Sequence, residues 1–142
     1  MGCNLFAVVF LLLGCLGCGP DDGRVRVYSV NGKVLVNGQP AEGARVVFYP
    51  TTPAEPGQKV PTPSATTDAS GEYRLDSYEV EDGAPAGEFK VTVVWPEPPP
   101  ANATGEFDLK DRLRGRYSNP QTTQLTATVE EGGGEIPAFE LQ

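Results

Sequence analysis

The chain contains no histidine, and its three cysteines all fall within the first 18 of 142 residues. Without histidine, Ser-His-Asp and Cys-His catalysis, histidine-ligated zinc and any histidine acid–base catalyst are excluded. Because no cysteine follows Cys18, the rest of the chain has no disulfide and no thiolate metal cluster. These absences predict a protein that is not an enzyme and carries no cofactor.

Basic charge is also scarce, since 11 Lys and Arg stand against 19 Asp and Glu, which gives a net charge of −8. Nucleic-acid binding needs concentrated Lys and Arg against the phosphates, so we expect no nucleic-acid partner. Arg112, Arg114 and Arg116 lie close together, but Asp108 and Asp111 stand among them. This pattern favours a solvated charged face over a phosphate or headgroup site.

The N-terminal segment carries no charge and holds the longest apolar run. Residues 5–13 are all apolar, a run shorter than the roughly 20 residues of a membrane-spanning helix and typical of a signal peptide. Residues 12–15 read Leu-Leu-Gly-Cys and resemble a bacterial lipobox, in which the cysteine thiol receives a diacylglycerol. Cys15 is the predicted lipid-attachment residue, and Cys18 is the alternative because Leu-Gly precedes it.

This interpretation divides the chain into three parts. Residues 1–14 are a lipoprotein signal peptide, residues 15–24 a lipidated flexible tether, and residues 25–142 one folded domain. The tether is rich in Gly, Pro and Asp, a composition that favours a flexible linker over a packed core. We therefore expect a cell-envelope protein that is attached to a membrane through its N-terminal lipid and faces the periplasm or the exterior.

Beyond the tether, short β-branched runs alternate with turn residues, which is typical of a β-sandwich of about seven strands. The alternation of apolar and polar side chains is clearest over residues 89–95 and 125–129. Asn31-Gly32 fits a tight turn or a bulge between two short strands. Only residues 107–113 have the leucine spacing of a helix.

One turn has a well-defined local signature. Asp68 and Gly71 occupy the positions that a type I turn prefers, which predicts a hairpin between residues 64–67 and 72–75. Asp68, Ser70 and the neighbouring glutamate offer oxygen atoms of the kind that calcium binds, but the full twelve-residue calcium loop is absent. Turn formation therefore explains these residues better than a metal site does.

Several segments carry a family resemblance. Residues 30–46 run from Val-Asn-Gly-Lys-Val to Gly-Ala-Arg-Val, residues 67–75 contain Thr-Asp-Ala-Ser-Gly-Glu-Tyr, and residues 87–93 read Gly-Glu-Phe-Lys-Val-Thr-Val. They resemble the opening strand, a hairpin and a later strand of carboxypeptidase-regulatory-like, or transthyretin-like, domains. Residues 117–129 are similar to the end of a group of small bacterial lipoproteins built around this domain. The resemblance implies a single transthyretin-like (prealbumin-like) β-sandwich but almost nothing about activity.

Enzymes with related folds need residues that this chain lacks. The transthyretin-like hydrolases use histidines and a C-terminal Tyr-Arg-Gly-Ser motif, whereas this sequence has no histidine and ends in Phe-Glu-Leu-Gln. Dioxygenases on a similar sandwich hold iron with two Tyr and two His, and the histidine pair is missing here. The resemblance therefore implies a non-catalytic member of the group.

Two aromatic residues are candidate ligand contacts. Trp95 ends a predicted strand and is either a core residue or a platform that stacks on a sugar or a proline-rich peptide. Tyr117 either closes the insertion of residues 96–116 onto the sandwich or contacts a ligand.

The leading hypothesis is a lipid-anchored binding or structural module that presents residues 50–63 and 96–116 to envelope polysaccharide or an envelope protein. The alternative is an accessory subunit that holds a ligand for an envelope transport or degradative system.

Overall fold

The computed structural model describes residues 21–142, so Cys15 and Cys18 lie outside the described residues. Nine strands and no helix occur in the described part. The strands are β1 (Val30–Val36), β2 (Gln39–Pro40), β3 (Arg45–Pro50), β4 (Ser64–Thr66), β5 (Glu72–Arg74), β6 (Gly87–Val94), β7 (Thr126–Val129), β8 (Gly134–Glu135) and β9 (Phe139–Leu141).

The strands form two sheets. In the first, β1 is central: β2 and β5 pair with it antiparallel, and β8 and β9 pair with it parallel. The second sheet has the order β4-β3-β6-β7 and is antiparallel throughout. The prediction of an all-β sandwich is confirmed, with more strands than expected because several have only two or three residues.

An aromatic cluster joins the two sheets. Every second residue of β1 is buried, as expected for a strand with one face on the core. The Phe48 ring of β3 packs against Tyr73 and Phe139 of the first sheet and against Phe89 of its own sheet. The ring centroids lie between 5.6 and 6.4 Å apart, a range in which each pair contributes about 0.5–1.5 kcal/mol beyond area burial.

Asn31-Gly32 forms neither a turn nor a bulge, because β1 runs straight through it. Gly32 pairs with Tyr73 of β5, and a Cβ at Gly32 would stand 2.3 Å from the Tyr73 hydroxyl. Glycine is needed here to leave room for the ring. Among the described residues the buried Tyr73 hydroxyl has no hydrogen-bond partner, and burial raises its pKa well above the ordinary value.

The predicted hairpin around Asp68 and Gly71 forms in part: the turn is present, and its two sides pair antiparallel at Ser64 and Asp76, where each N–H donates to the carbonyl of the other residue. The Gly71 N–H donates to the Asp68 carbonyl at 2.9 Å, and the Asp68 carboxylate accepts the N–H groups of Ser70 and Glu72. However, β4 pairs with β3 while β5 pairs with β1. The turn therefore carries the chain from one sheet to the other, which the local sequence does not encode.

The helix that the leucine spacing of residues 107–113 allows does not form. Backbone groups of this segment pair instead with the chain that follows β6. The Glu97 N–H donates to the Lys110 carbonyl at 2.9 Å, and the Arg112 N–H donates to the Trp95 carbonyl at 2.8 Å. Because these donors and acceptors are used across the chain, the intrasegment bonds of a helix do not form.

The sandwich has two ends, separated by the length of β1. The arm end lies at the start of β1 and carries the N-terminal arm, residues 21–29, in which Tyr28 pairs with Ala84. The tryptophan end lies where β1 finishes, because Val36 and Trp95 border the same groove. At roughly 3.3 Å per residue, β1 places the two ends about 20 Å apart.

The arm is attached to the domain earlier than expected. The Gly23 carbonyl accepts the Lys59 N–H at 2.7 Å, and the Val25 N–H donates to the Tyr78 hydroxyl at 3.1 Å. The Arg24 guanidinium lies 5.1 Å from the centroid of the Tyr78 ring. Residues 23 and 24, which the sequence assigns to the flexible tether, therefore lie against the domain.

Candidate ligand-binding surface

Trp95 follows the last residue of β6, at the edge of the sandwich. Its side chain is partly buried and packs against the core, and its indole N–H donates to the Glu42 carbonyl at 2.7 Å. The Arg112 guanidinium lies 3.7 Å from the centroid of the ring. Such a cation–π contact is worth about 0.5–1 kcal/mol at an exposed site. Trp95 is thus neither a fully buried core residue nor a free surface ring.

Asp111 fixes the turn that brings Arg112 to Trp95. One carboxylate oxygen accepts the N–H groups of Trp95 at 2.9 Å and Leu113 at 3.0 Å, and the other accepts that of Gly115 at 2.8 Å. Hydrogen bonds to an ionised acceptor are stronger than neutral ones. The turn is therefore tied to the end of β6, and the next side chain, Arg112, is carried over the ring.

Two grooves flank the Trp95–Arg112 pair and share both residues. The first has a volume of about 290 Å³, and we call it the arginine groove. Its lining includes Asn37, Trp95, Arg112, Arg114 and Arg116. The second has a volume of about 670 Å³, and we call it the proline groove. Its lining includes the prolines Pro40, Pro96 and Pro98 with Leu109 and the shared pair, and also two acidic residues, Glu42 and Glu97.

Sequence reasoning missed the role of Arg112. The mixture of Arg and Asp over residues 108–116 favours a solvated face, yet Arg112 stacks on Trp95 and the Arg116 guanidinium donates to the Gln142 carbonyl at 2.7 Å. The contact with Trp95 depends on the pairing of two chain segments that the sequence separates by a long insertion. No local periodicity signals such a contact.

Tyr117 lies near the same end but borders neither groove within residues 21–142. Its carbonyl accepts the Val93 N–H at 3.0 Å, and its ring packs against the core. Its hydroxyl accepts the Gln142 N–H at 3.4 Å. These contacts join residues 96–116 to the sandwich.

At the arm end, the acidic segment 76–82 folds around one of its own carboxylates. Asp82 accepts the N–H groups of Ser77 at 2.7 Å and of Tyr78 and Glu79 at 3.0 Å. Partial burial raises the pKa of the Asp82 carboxyl, but these hydrogen bonds favour the ionised form and outweigh it. The pKa of Asp82 is therefore lowered.

The two loops that we expected to act together lie at opposite ends of the sandwich. Residues 50–63 follow β3 at the arm end, where Lys59 pairs with Gly23. Residues 96–116 form the turn and grooves around Trp95. A ligand bound beside Trp95 therefore contacts only the second loop.

Within residues 21–142 no group of three or more His, Cys, Asp or Glu is arranged to hold a metal ion. The same residues include no helix with the length and apolarity needed to cross a membrane. The sequence matches no protein-family model and no curated protein. The candidate site therefore rests on the geometry of the tryptophan end.

Proposed function

We propose that the protein is an exported lipoprotein whose non-catalytic sandwich binds a ligand of the cell envelope at the tryptophan end. The observation that carries this proposal is the placement of the arm and of Trp95 at opposite ends of β1. A domain held by its arm presents the other end to its surroundings. The sandwich rigidly positions that end, as binding loops require.

The anchor is the lipid on Cys15, with Cys18 as the alternative. Fully extended at roughly 3.3–3.6 Å per residue, the chain from Cys15 to Gly23 spans at most about 30 Å. Two or three acyl chains hold a lipoprotein stably, at about 0.8 kcal/mol per buried methylene. The lipid would thus hold the arm end within this distance of the membrane, while Trp95 lies at the opposite end of β1.

The chemistry of the arginine groove supports binding rather than catalysis. The ionisable side chains that line the arginine groove within the described residues are Arg112, Arg114 and Arg116. A guanidinium group stays protonated in proteins, so it donates hydrogen bonds but does not act as a general base. The aromatic ring beside it supplies apolar area.

The same proposal includes the transthyretin-like assignment of the fold. The two-sheet arrangement supports it, as do the positions of the segments that carry the resemblance. Residues 30–46 span β1 to the start of β3, residues 67–75 form the turn that changes sheets, and residues 87–93 lie in β6. A carboxypeptidase-regulatory-like domain of this kind would act as a module without an active site of its own.

Serine variants of the two cysteines test the anchor. The chain is expressed in a bacterial host that exports lipoproteins, then partitioned between detergent and aqueous phases, and the mature N-terminus is weighed by mass spectrometry. We expect the natural chain in the detergent phase with a diacylglycerol on Cys15. The Cys15→Ser variant should stay aqueous or keep its first 14 residues, and Cys18→Ser should behave as the natural chain.

The outcomes of this experiment are distinct. If only Cys18→Ser no longer partitions into the detergent phase, the lipid is on Cys18, the alternative residue. If both variants keep the detergent partitioning and the N-terminal mass of the natural chain, neither cysteine carries the lipid, and the proposed anchor is wrong.

The orientation has its own test, because Trp95 is the only tryptophan in the chain. The purified lipoprotein is reconstituted into vesicles that contain brominated phospholipids, which quench nearby tryptophan. Trp95 fluorescence should remain close to its value in unbrominated vesicles. Strong quenching would place the tryptophan end at the membrane and contradict the proposed orientation.

A further inference from the structure

The tryptophan end concentrates positive charge in an acidic protein. Four of the 11 basic residues lie between positions 110 and 116, although the net charge of the chain is −8. Arg112, Arg114 and Arg116 are all exposed. Within the described part of the chain the salt bridges involve Arg24 and Arg74, not these three residues.

The backbone displays Arg114 in an unusual conformation. Its φ is +56°, in the left-handed region that residues other than glycine rarely adopt, and Gly115 follows at +73°. The hydrogen bond from the Gly115 N–H to Asp111 holds this geometry. Sparsely populated backbone conformations cluster at binding sites, where the surrounding structure maintains them.

No Asp or Glu side chain lines the arginine groove among residues 21–142. Gln142 also lines it, and its main-chain oxygen accepts a hydrogen bond from Arg116, so Arg112 and Arg114 are the guanidinium groups that no such acceptor engages there. Guanidinium groups form bidentate hydrogen bonds with carboxylates and phosphates, and an asparagine amide both donates and accepts. The lining therefore fits an anionic ligand.

The second groove gives a chain-like ligand room to extend. The proline groove meets the arginine groove at Trp95 and Arg112, so a sugar chain that enters the arginine groove can continue past this pair. Glu42 and Glu97 line the proline groove, so the anionic groups of such a ligand belong on the arginine side. Because the indole N–H donates to Glu42 and the Arg112 guanidinium lies over the ring, the ligand meets the stacked pair rather than a bare ring.

We infer that the arginine groove binds an acidic polysaccharide, with Arg114 as an exposed anion contact and the Trp95–Arg112 pair at the border of the site. The affinity for an anionic sugar follows from the groove alone. The choice of a polysaccharide over the headgroups of an anionic membrane rests on the proposed function, since the anchor directs this end away from its own membrane.

The test uses the full chain in a neutral polyoxyethylene detergent and follows Trp95 fluorescence. Hexagalacturonate, an acidic sugar chain, is titrated beside its methyl ester, which keeps the rings and removes the charge. We expect saturable change with the acid and little with the ester. Raising the ionic strength from about 0.1 M to about 1 M, which shortens the Debye length from about 10 Å to about 3 Å, should weaken binding.

Arginine variants locate the site. Arg114→Gln should weaken hexagalacturonate binding about tenfold, because a charge-assisted contact is lost, and Arg114→Lys should restore part of it. Arg26→Gln is the matched control, since Arg26 is an exposed arginine on the arm and should bind as the natural chain does. Unchanged melting temperatures confirm that both variants are folded.

Three results would overturn the inference. They are equal binding of the acid and its ester, equal loss in Arg114→Gln and Arg26→Gln, and fluorescence change with phosphatidylglycerol vesicles but not with hexagalacturonate. The measurement does not depend on the lipid, because Cys15→Ser should bind hexagalacturonate as well as the natural chain. Failure of the anchor and failure of the sugar site are therefore separable.

Discussion

Each end of the sandwich contains one aspartate that accepts three backbone N–H groups. At the arm end, Asp82 closes its own loop, and the neighbouring Tyr78 receives the arm through its hydroxyl and its ring. At the tryptophan end, Asp111 forms a similar set of bonds, but the turn that it stabilises displays arginines to solvent. Three hydrogen bonds to one aspartate thus hold the arm at one end and present exposed arginines at the other.

The two ends also differ in how closely other backbone atoms approach a glycine. At Gly83, a Cβ would stand 1.7 Å from the Tyr28 carbonyl oxygen, because the arm passes directly over this residue. At Gly43, beside the proline groove, nothing lies within 4 Å of a Cβ. The arm end is therefore closed by backbone contact, whereas the tryptophan end is open around its glycine.

The largest expected effect comes from alanine at these two glycines. Gly83→Ala should lower the free energy of unfolding by about 3 kcal/mol, because the new methyl group displaces the arm backbone. Gly43→Ala should cost about 1 kcal/mol, the penalty of a left-handed conformation without a clash. Denaturant unfolding measures both values. Equal losses would show that the arm is not packed on Gly83 in solution.

Alanine at the two aspartates comes next. Asp82→Ala and Asp111→Ala should each cost about 1–2 kcal/mol, as losing a helix-capping side chain does, since several N–H groups lose their acceptor. Only Asp111→Ala should change Trp95 fluorescence, because only that carboxylate positions Arg112. Only Asp82→Ala should speed hydrogen exchange at the amides of Ser77 and Glu79. A fluorescence change of equal size in both variants would contradict the independence of the two ends.

Alternation of side chains predicted much of this fold. Alternation over residues 89–95 predicted β6, which the structure shifts by one or two residues to Gly87–Val94, and β3 shows a similar alternation over Arg45–Pro50. Both strands bury every second side chain along most of their length. A strand with one face on the core imposes this period on its sequence, so the period predicts the strand.

Pairing partners and the candidate site were not predictable in this way. The Asp68 turn looks like a hairpin turn, and its two sides do pair at Ser64 and Asp76, but the main partners of β4 and β5 lie in different sheets. Gly32 has the local appearance of a turn residue, yet it is there to admit the Tyr73 ring. The contact between Arg112 and Trp95 is likewise long-range, and a single sequence carries no signal for it.

Removing the Tyr73 hydroxyl should affect neither end selectively. Tyr73 packs on Phe48 in the middle of the core, and its hydroxyl is buried without a partner among the described residues. Tyr73→Phe should therefore raise the free energy of unfolding by about 1 kcal/mol, because an unpaired polar group no longer needs to be buried. Thermal unfolding should show the gain while hexagalacturonate binding stays unchanged. A loss of stability would mean that the hydroxyl has a partner in solution.

The smallest expected effect is the pH dependence that arises at Asp82. Its pKa lies below the ordinary value of 3.8 in the folded protein, so the unfolded chain takes up this proton first as the pH falls. The stabilisation is complete above the ordinary pKa and is lost progressively as the pH falls towards the lowered pKa of the folded protein.

Asp82→Asn, which keeps one acceptor oxygen but has no charge to titrate, should be less stable at neutral pH. Its deficit relative to the natural chain should shrink below about pH 4, as this linkage requires. A deficit that stays constant over this range would show that the hydrogen bonds at the arm end do not depend on the charge of the carboxylate.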